Sequence, residues 1–154
     1  MKPIAATSEF PASQVPNPES RHFSWPLRVY WEDTDAGGVV YHASYLRFFE
    51  RARSEWLRAA GIGQQQLRDE AGIVFVVHRL EIDFRQPARL DDVLNATVLP
   101  ENLRSASFIA SQQLWREPDR SLLVEARVRI ACLDAATFRP RPVPKNILEE
   151  IAKP

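Results

Sequence analysis

Between Trp31 and Ser44 the segment WEDTDAGGVVYHAS gathers three carboxylates, two glycines and one histidine. A carboxylate can take a proton from water or attack a carbonyl carbon directly, and a histidine can move a proton or donate a hydrogen bond near neutral pH. If the segment joins a strand to a helix, a carboxylate at the strand end lies beside the first turn of that helix. The free N–H groups and dipole there favour negative charge developing on a bound carbonyl oxygen. Each residue also has a plainer reading. Acidic residues before a helix are most often turn formers, which is how Glu32 and Asp33 are read. His42 taken alone is more often a helix-end or packed side chain, and no second histidine stands nearby to complete a metal pair. His22 and His78 are read as structural or incidental.

Other catalytic templates are absent. The chain contains no G-x-S-x-G elbow, no G-x-x-x-x-G-K-[ST] loop, no G-x-G-x-x-G and no H-E-x-x-H, which removes the main support for serine-hydrolase, nucleotide-binding and zinc-protease chemistry. Arg79, Arg85, Arg89, Arg104, Arg127 and Arg129 are of the type that contacts phosphates, yet arginines on strands are more often solvated faces.

The elements that must position the acidic segment can be read from periodicity. Trp25, Leu27, Val29 and Trp31 alternate with Pro26, Arg28 and Tyr30, so a strand with one buried face is predicted from Trp25 to Glu32. The adjacent glycines Gly37 and Gly38 then allow the chain to turn without regular structure. In SYLRFFERARSEWLRAAG, Tyr45, Phe48, Phe49, Ala52, Trp56, Ala59 and Ala60 recur at spacings of three and four, the signature of an amphipathic helix. Ser44 is its expected N-cap and Gly61 its stop, with Arg47, Arg51, Arg53 and Glu55 on the wetter faces. A short helical stretch follows around Gln64 to Ala71. Four further strands are then predicted in IVFVVHRLEIDFRQP, DDVLNATVLPEN, SASFIASQQLWREPD and SLLVEARVRIACLDAATFRP, joined by hairpins or similar antiparallel connections. Within the last, Val124, Ala126, Val128, Ile130 and Cys132 share one face, and Glu125, Arg127 and Arg129 the solvated one. Prolines 140, 142 and 144 end the sheet, and a short, peripheral helix is expected from Lys145 to Ala152. One long helix followed by a run of strands reads as α+β, with a curved antiparallel sheet against the helix.

Composition sets the outer limits. The 154 residues suit one domain, divided here into a flexible, proline-bearing tail over residues 1–22 and a single domain over 23–154. The 20 basic and 20 acidic residues cancel, so the charge balance points to neither nucleic acid nor a membrane surface. No apolar run approaches the ~20 residues of a membrane-spanning helix, and the first 22 residues lack a secretory core. Cys132 is the only cysteine, which excludes an internal disulfide and fits the reducing cytoplasm.

The stretch from Arg28, RVYWEDTDAGGVVYHASYLRFFERARSE, closely resembles the signature of the Tol-Pal-associated (YbgC-type) acyl-CoA thioesterases, relatives of 4-hydroxybenzoyl-CoA thioesterase. The similarity continues more loosely through GIVFVVHRLEIDFRQPARLDD and EARVRIACLD, covering about residues 24 to 148. It implies a hotdog fold, a curved sheet wrapped around a central long helix, and hydrolysis of acyl-CoA or acyl-carrier-protein thioesters. The motif's second aspartate, Asp35, takes the catalytic role as general base or nucleophile. His42 falls where the family polarises the thioester carbonyl with a backbone N–H, helped or not by the side chain. Gly38 and Tyr41 are expected at the substrate. Many members carry tyrosine four residues before the aspartate, where this chain has Trp31, so any function of that hydroxyl is lost or replaced. The leaving thiol, with an ordinary thiol pKa of about 8.5, departs as thiolate with little protonation. No metal or redox cofactor is implied, and a homodimer or homotetramer is. Two other classes stay open: a dehydratase or isomerase acting on an acyl thioester without breaking C–S, and an acyl-CoA-binding adaptor in an envelope-related complex.

Overall fold

The computed structural model describes residues 22–153; residues 1–21 and 154 lie outside, and with them nearly all of the tail expected over 1–22. The described chain runs β1 (Phe23–Arg28), a 3-10 turn (Trp31–Asp33), α1 (Ser44–Ala59), a short helical segment of α2 (Gln64–Gln66) and a π turn (Leu67–Ala71), then β2 (Ile73–Phe84), β3 (Val93–Glu101), β4 (Ser107–Glu117), β5 (Ser121–Asp134) and α3 (Lys145–Ala152). All strands are antiparallel in one five-stranded sheet of order β1-β3-β4-β5-β2. The α+β architecture read from the sequence is therefore present.

α1 lies across the inner face of this sheet. Its Tyr45, Phe48, Phe49, Ala52, Trp56 and Leu57 are buried, and Trp56 meets Phe108 of β4 edge-on at 5.9 Å. The opposing side chains come from alternate positions, such as Leu94, Ala96 and Val98 of β3 and Val124, Ala126, Val128 and Ile130 of β5, which is what the two-residue period of a strand dictates. Register shifts between Val77 and Arg79 in β2 and between Leu114 and Trp115 in β4 bend the sheet around the helix, as bulges do.

Several expectations need correction. β1 ends at Arg28 rather than Glu32: Val29 still keeps the alternation, fully buried, but Trp31 turns outward at 80% exposure because Trp31–Asp33 coils into the 3-10 turn. Ser44 is the first helical residue and not the cap; Ala43 holds that position without a side-chain hydrogen bond. Gly61 does end α1, with φ of +79°, its N–H donating to Arg58 O and that of Ile62 to Leu57 O, the paired bonds of a Schellman ending. β2 and β3 are not a hairpin, since β2 pairs only with β5, and β3 with β1 and β4. Two charged residues assigned to wet faces, Arg53 and Glu125, are buried. The C-terminal helix is not peripheral, because Ile151 is fully buried in the core, with Val143 just before the helix.

Candidate active site

The acidic segment closes on itself as a small hairpin. Thr34 and Val40 form an antiparallel bridge, Asp35 N–H donates to Val39 O at 3.0 Å, and Gly38 N–H returns to Asp35 O at 3.0 Å. Gly38 has φ of +78°, the left-handed residue that a three-residue hairpin loop requires. The Asp35 carboxylate takes part as well: its Oδ1 accepts the Gly37 N–H at 2.8 Å. One carboxylate oxygen is thereby oriented, and Oδ2 accepts from no donor among the described residues. Asp35 is solvent-exposed in the single chain.

From this hairpin the chain passes directly into α1. Tyr41 N–H donates to Asp33 O at 2.8 Å, and Ser44 N–H to Tyr41 O at 2.8 Å. His42 is exposed, its ring tilted against that of Tyr41 at 4.6 Å. The N–H groups of His42 and Ala43 donate to no acceptor among the described residues. With no side-chain cap and no acidic residue in the first turn of α1, the positive end of the helix is left for an outside acceptor. The hairpin thus carries an exposed carboxylate within seven residues of free amide donors at a helix start.

The neighbouring carboxylates differ. Asp33 is 3% exposed, its Oδ2 accepting the Tyr30 N–H at 2.8 Å to cap the 3-10 turn, so its turn-forming reading holds. Glu32 is exposed. Among the described residues no three His, Cys, Asp or Glu side chains gather as a metal site.

A model of the Thioesterase-like superfamily matches residues 29–151. This chain belongs to that superfamily. The thioesterase match covers the hairpin, α1 and the whole sheet except β1. An acyl-CoA thioester hydrolase, YbgC, of Escherichia coli O6:H1 is 45% identical over 128 residues, which span 83% of this chain and 94% of that protein. Among solved structures, a probable thioesterase from Bartonella henselae is 39% identical with a TM-score of 0.74, covering 80% of this chain and 99% of that one. A 1,4-dihydroxy-2-naphthoyl-CoA thioesterase from Synechocystis, at 23% identity, a TM-score of 0.79 and coverage of 84% and 95%, shares the fold. The thioesterase hotdog architecture, a curved antiparallel sheet around a long helix, is that of this chain.

Of the residues singled out in the sequence, this thioesterase brings Asp35, Gly38, Tyr41 and His42 onto one continuous hairpin-to-helix segment. Gly38 shapes the turn; Tyr41, 46% exposed, stands beside His42. Sequence reasoning missed the contribution of the β2–β3 connection. Val40 N–H donates to Ala88 O at 2.9 Å, and Ala88 N–H donates to the Tyr45 hydroxyl at 2.9 Å. Val29 and the 91–92 backbone exchange two further bonds, Val29 N–H to Asp92 O and Asp91 N–H to Val29 O. Nothing local in the sequence signals these, because the partners lie 43 or more residues apart. Burial first pushes the Tyr45 phenol up; the Ala88 N–H bond opposes this, and the Asp92 and Asp35 charges add to the rise.

Proposed function

We propose that this protein hydrolyses acyl-CoA thioesters to a free acid and CoA, with Asp35 as the general base or nucleophile. The observation that carries the reading is the Asp35 carboxylate, one oxygen held by Gly37 N–H and the other free, on a hairpin leading straight to the uncapped start of α1. A thioester carbonyl accepting the His42 N–H has its carbon polarised for attack, either by Asp35 or by water that Asp35 deprotonates. Negative charge developing on the carbonyl oxygen is met by backbone donors that need no reorganisation. Bond making and breaking balance on either route: a C–O bond forms as the C–S bond breaks, and the thiolate leaves to be protonated by solvent. The oxygen comes from water or from Asp35, and in the latter case water then hydrolyses the resulting anhydride and frees the carboxylate. Tyr41 and Gly38 border the place where the thioester lies. The 45% identity to a protein named as an acyl-CoA thioester hydrolase supports CoA as the carrier. The buried Cys132, its thiol pushed up by burial, suits a reducing compartment, and we place the activity in the cytoplasm.

Asp35→Asn removes the charge while keeping the size, and is expected to cut free-thiol release from acyl-CoA at least about a hundredfold. Asp35→Ala accompanies it, since asparagine deamidates back to aspartate. Glu32→Gln, an exposed neighbour, serves as the matched control with little effect, and His42→Ala falls between because its backbone N–H persists. Near-wild-type thiol release by a folded Asp35→Asn protein would sink the proposal. An acyl-carrier-protein thioester assayed in parallel identifies the preferred carrier.

A further inference from the structure

Tyr45 is the second residue of α1 and 3% exposed. Its ring meets Phe48 at 6.0 Å and Phe84 of β2 at 5.6 Å, a packing that any aromatic of similar size satisfies. The hydroxyl does something the ring does not. It accepts the Ala88 N–H at 2.9 Å, while the Ala88 carbonyl accepts the Val40 N–H at 2.9 Å. Ala88, fully buried, is therefore gripped from both sides, by α1 through Tyr45 and by the Asp35 hairpin through Val40. Val40 is also the residue bridged to Thr34, next to Asp35. A chain of hydrogen bonds thus links the start of α1 to the strand that carries the carboxylate, through a loop remote in sequence.

We propose that Tyr45 is a positioning residue, whose hydroxyl, acting through Ala88, sets the Asp35 hairpin relative to the start of α1 so that the carboxylate and the His42 N–H address one carbonyl. The inference rests on the Asp35 reading. The physical reason is geometric: misplacement by about 1 Å of groups that act together costs up to about a hundredfold in rate. Without the hydroxyl, the buried Ala88 N–H loses its acceptor and the loop shifts to find another. Burial makes the phenol a weaker acid, so the hydroxyl stays neutral, an acceptor that adds no charge beside the carboxylate.

Tyr45→Phe deletes one oxygen and keeps the ring. Its kcat for acyl-CoA hydrolysis is expected to fall about tenfold or more, with KM within about twofold of wild type, because binding is retained while alignment is lost. Phe84→Leu is the control: it loosens the packing of the same ring, lowering Tm, and leaves kcat within about twofold. In an Asp35→Ala background, adding Tyr45→Phe is expected to change the residual rate little, since a positioning residue has nothing left to position. Wild-type kcat in a folded Tyr45→Phe protein overturns the inference. So does a kcat loss in Phe84→Leu that matches that of Tyr45→Phe, or a Tyr45→Phe chain without a cooperative transition, because the hydroxyl then serves stability alone. If Asp35→Ala itself is fully active, it is the reading of Asp35 that fails.

Discussion

A Cβ added at Gly37 would lie 3.0 Å from Asp35 Oδ1, whereas one added at Gly38 would meet nothing within 4 Å. The two adjacent glycines therefore serve different ends, and substituting them separates the ends. Gly37→Ala presses on the carboxylate that its own N–H orients, so turnover is expected to drop roughly tenfold with Tm little changed. Gly38→Ala strains a residue at φ of +78° and is expected to lower stability by about 1 kcal/mol, measured by denaturant unfolding, with a smaller loss of turnover than Gly37→Ala. Equal effects from the two would contradict this division. The turn made by the glycine pair was legible in the sequence because turn chemistry is local, whereas the role given to Asp35 came from the family resemblance and not from spacing. Asp33 was legible only as a turn former; its burial is a tertiary fact that residue type does not reveal. Arg53 shows the reverse case. It stands four residues after Phe49 and three before Trp56, on the buried face by spacing, and its charge misled the reading because a polar partner on the sheet, Gln112, was not visible from the helix.

At the scale of elements, the strands and α1 were readable from periods of two and of three to four residues, but strand order was not, since the β2–β3 connection crosses the sheet and no local pattern records it. The β4–β5 hairpin was readable, and its turn carries a pH-sensitive contact. Asp119 Oδ2 accepts from Arg116 at 2.8 Å and from the Ser121 hydroxyl at 2.8 Å, and these bonds, Arg116 foremost, depress its carboxyl to about 2. An unfolded aspartate binds its proton near about pH 4. The unfolded chain therefore takes up a proton before the folded one does, and the contribution of Asp119 is full above about pH 4 and lost as pH falls toward about 2. Melting curves from about pH 5 to about pH 2 should show Asp119→Asn with the shallower acid decline, the difference shrinking at high salt because the pair is exposed. Parallel declines for the two proteins would remove Asp119 from the account.

For the whole molecule, the sheet order leaves β1 and β2 as edges, and β2 exposes half of Val77. Open edges are templates for pairing, so light scattering is expected to give at least a dimer of the 17.6 kDa chain; a monomer at micromolar concentration would rule this out. Removing residues 1–20, which lie outside the family match, is expected to leave Tm and turnover nearly unchanged, and a large loss of either would show that they join the domain. The buried guanidinium of Arg53 reaches further than its own contacts. It donates to Gln112 Oε1 at 2.7 Å and pairs with Glu50, while Gln112 Nε2 donates to Phe49 O at 3.1 Å. An oily helix on an oily sheet has near-equivalent seatings three or four residues apart, displaced by about 4.5 or 6 Å. Every seating but one separates this guanidinium from Gln112 and leaves a buried donor unpaired, at a cost of about 1–3 kcal/mol. The charge selects a single packing among lookalikes, and because the amide donors at the start of α1 travel with the helix, that choice also fixes how far they stand from the Asp35 carboxylate.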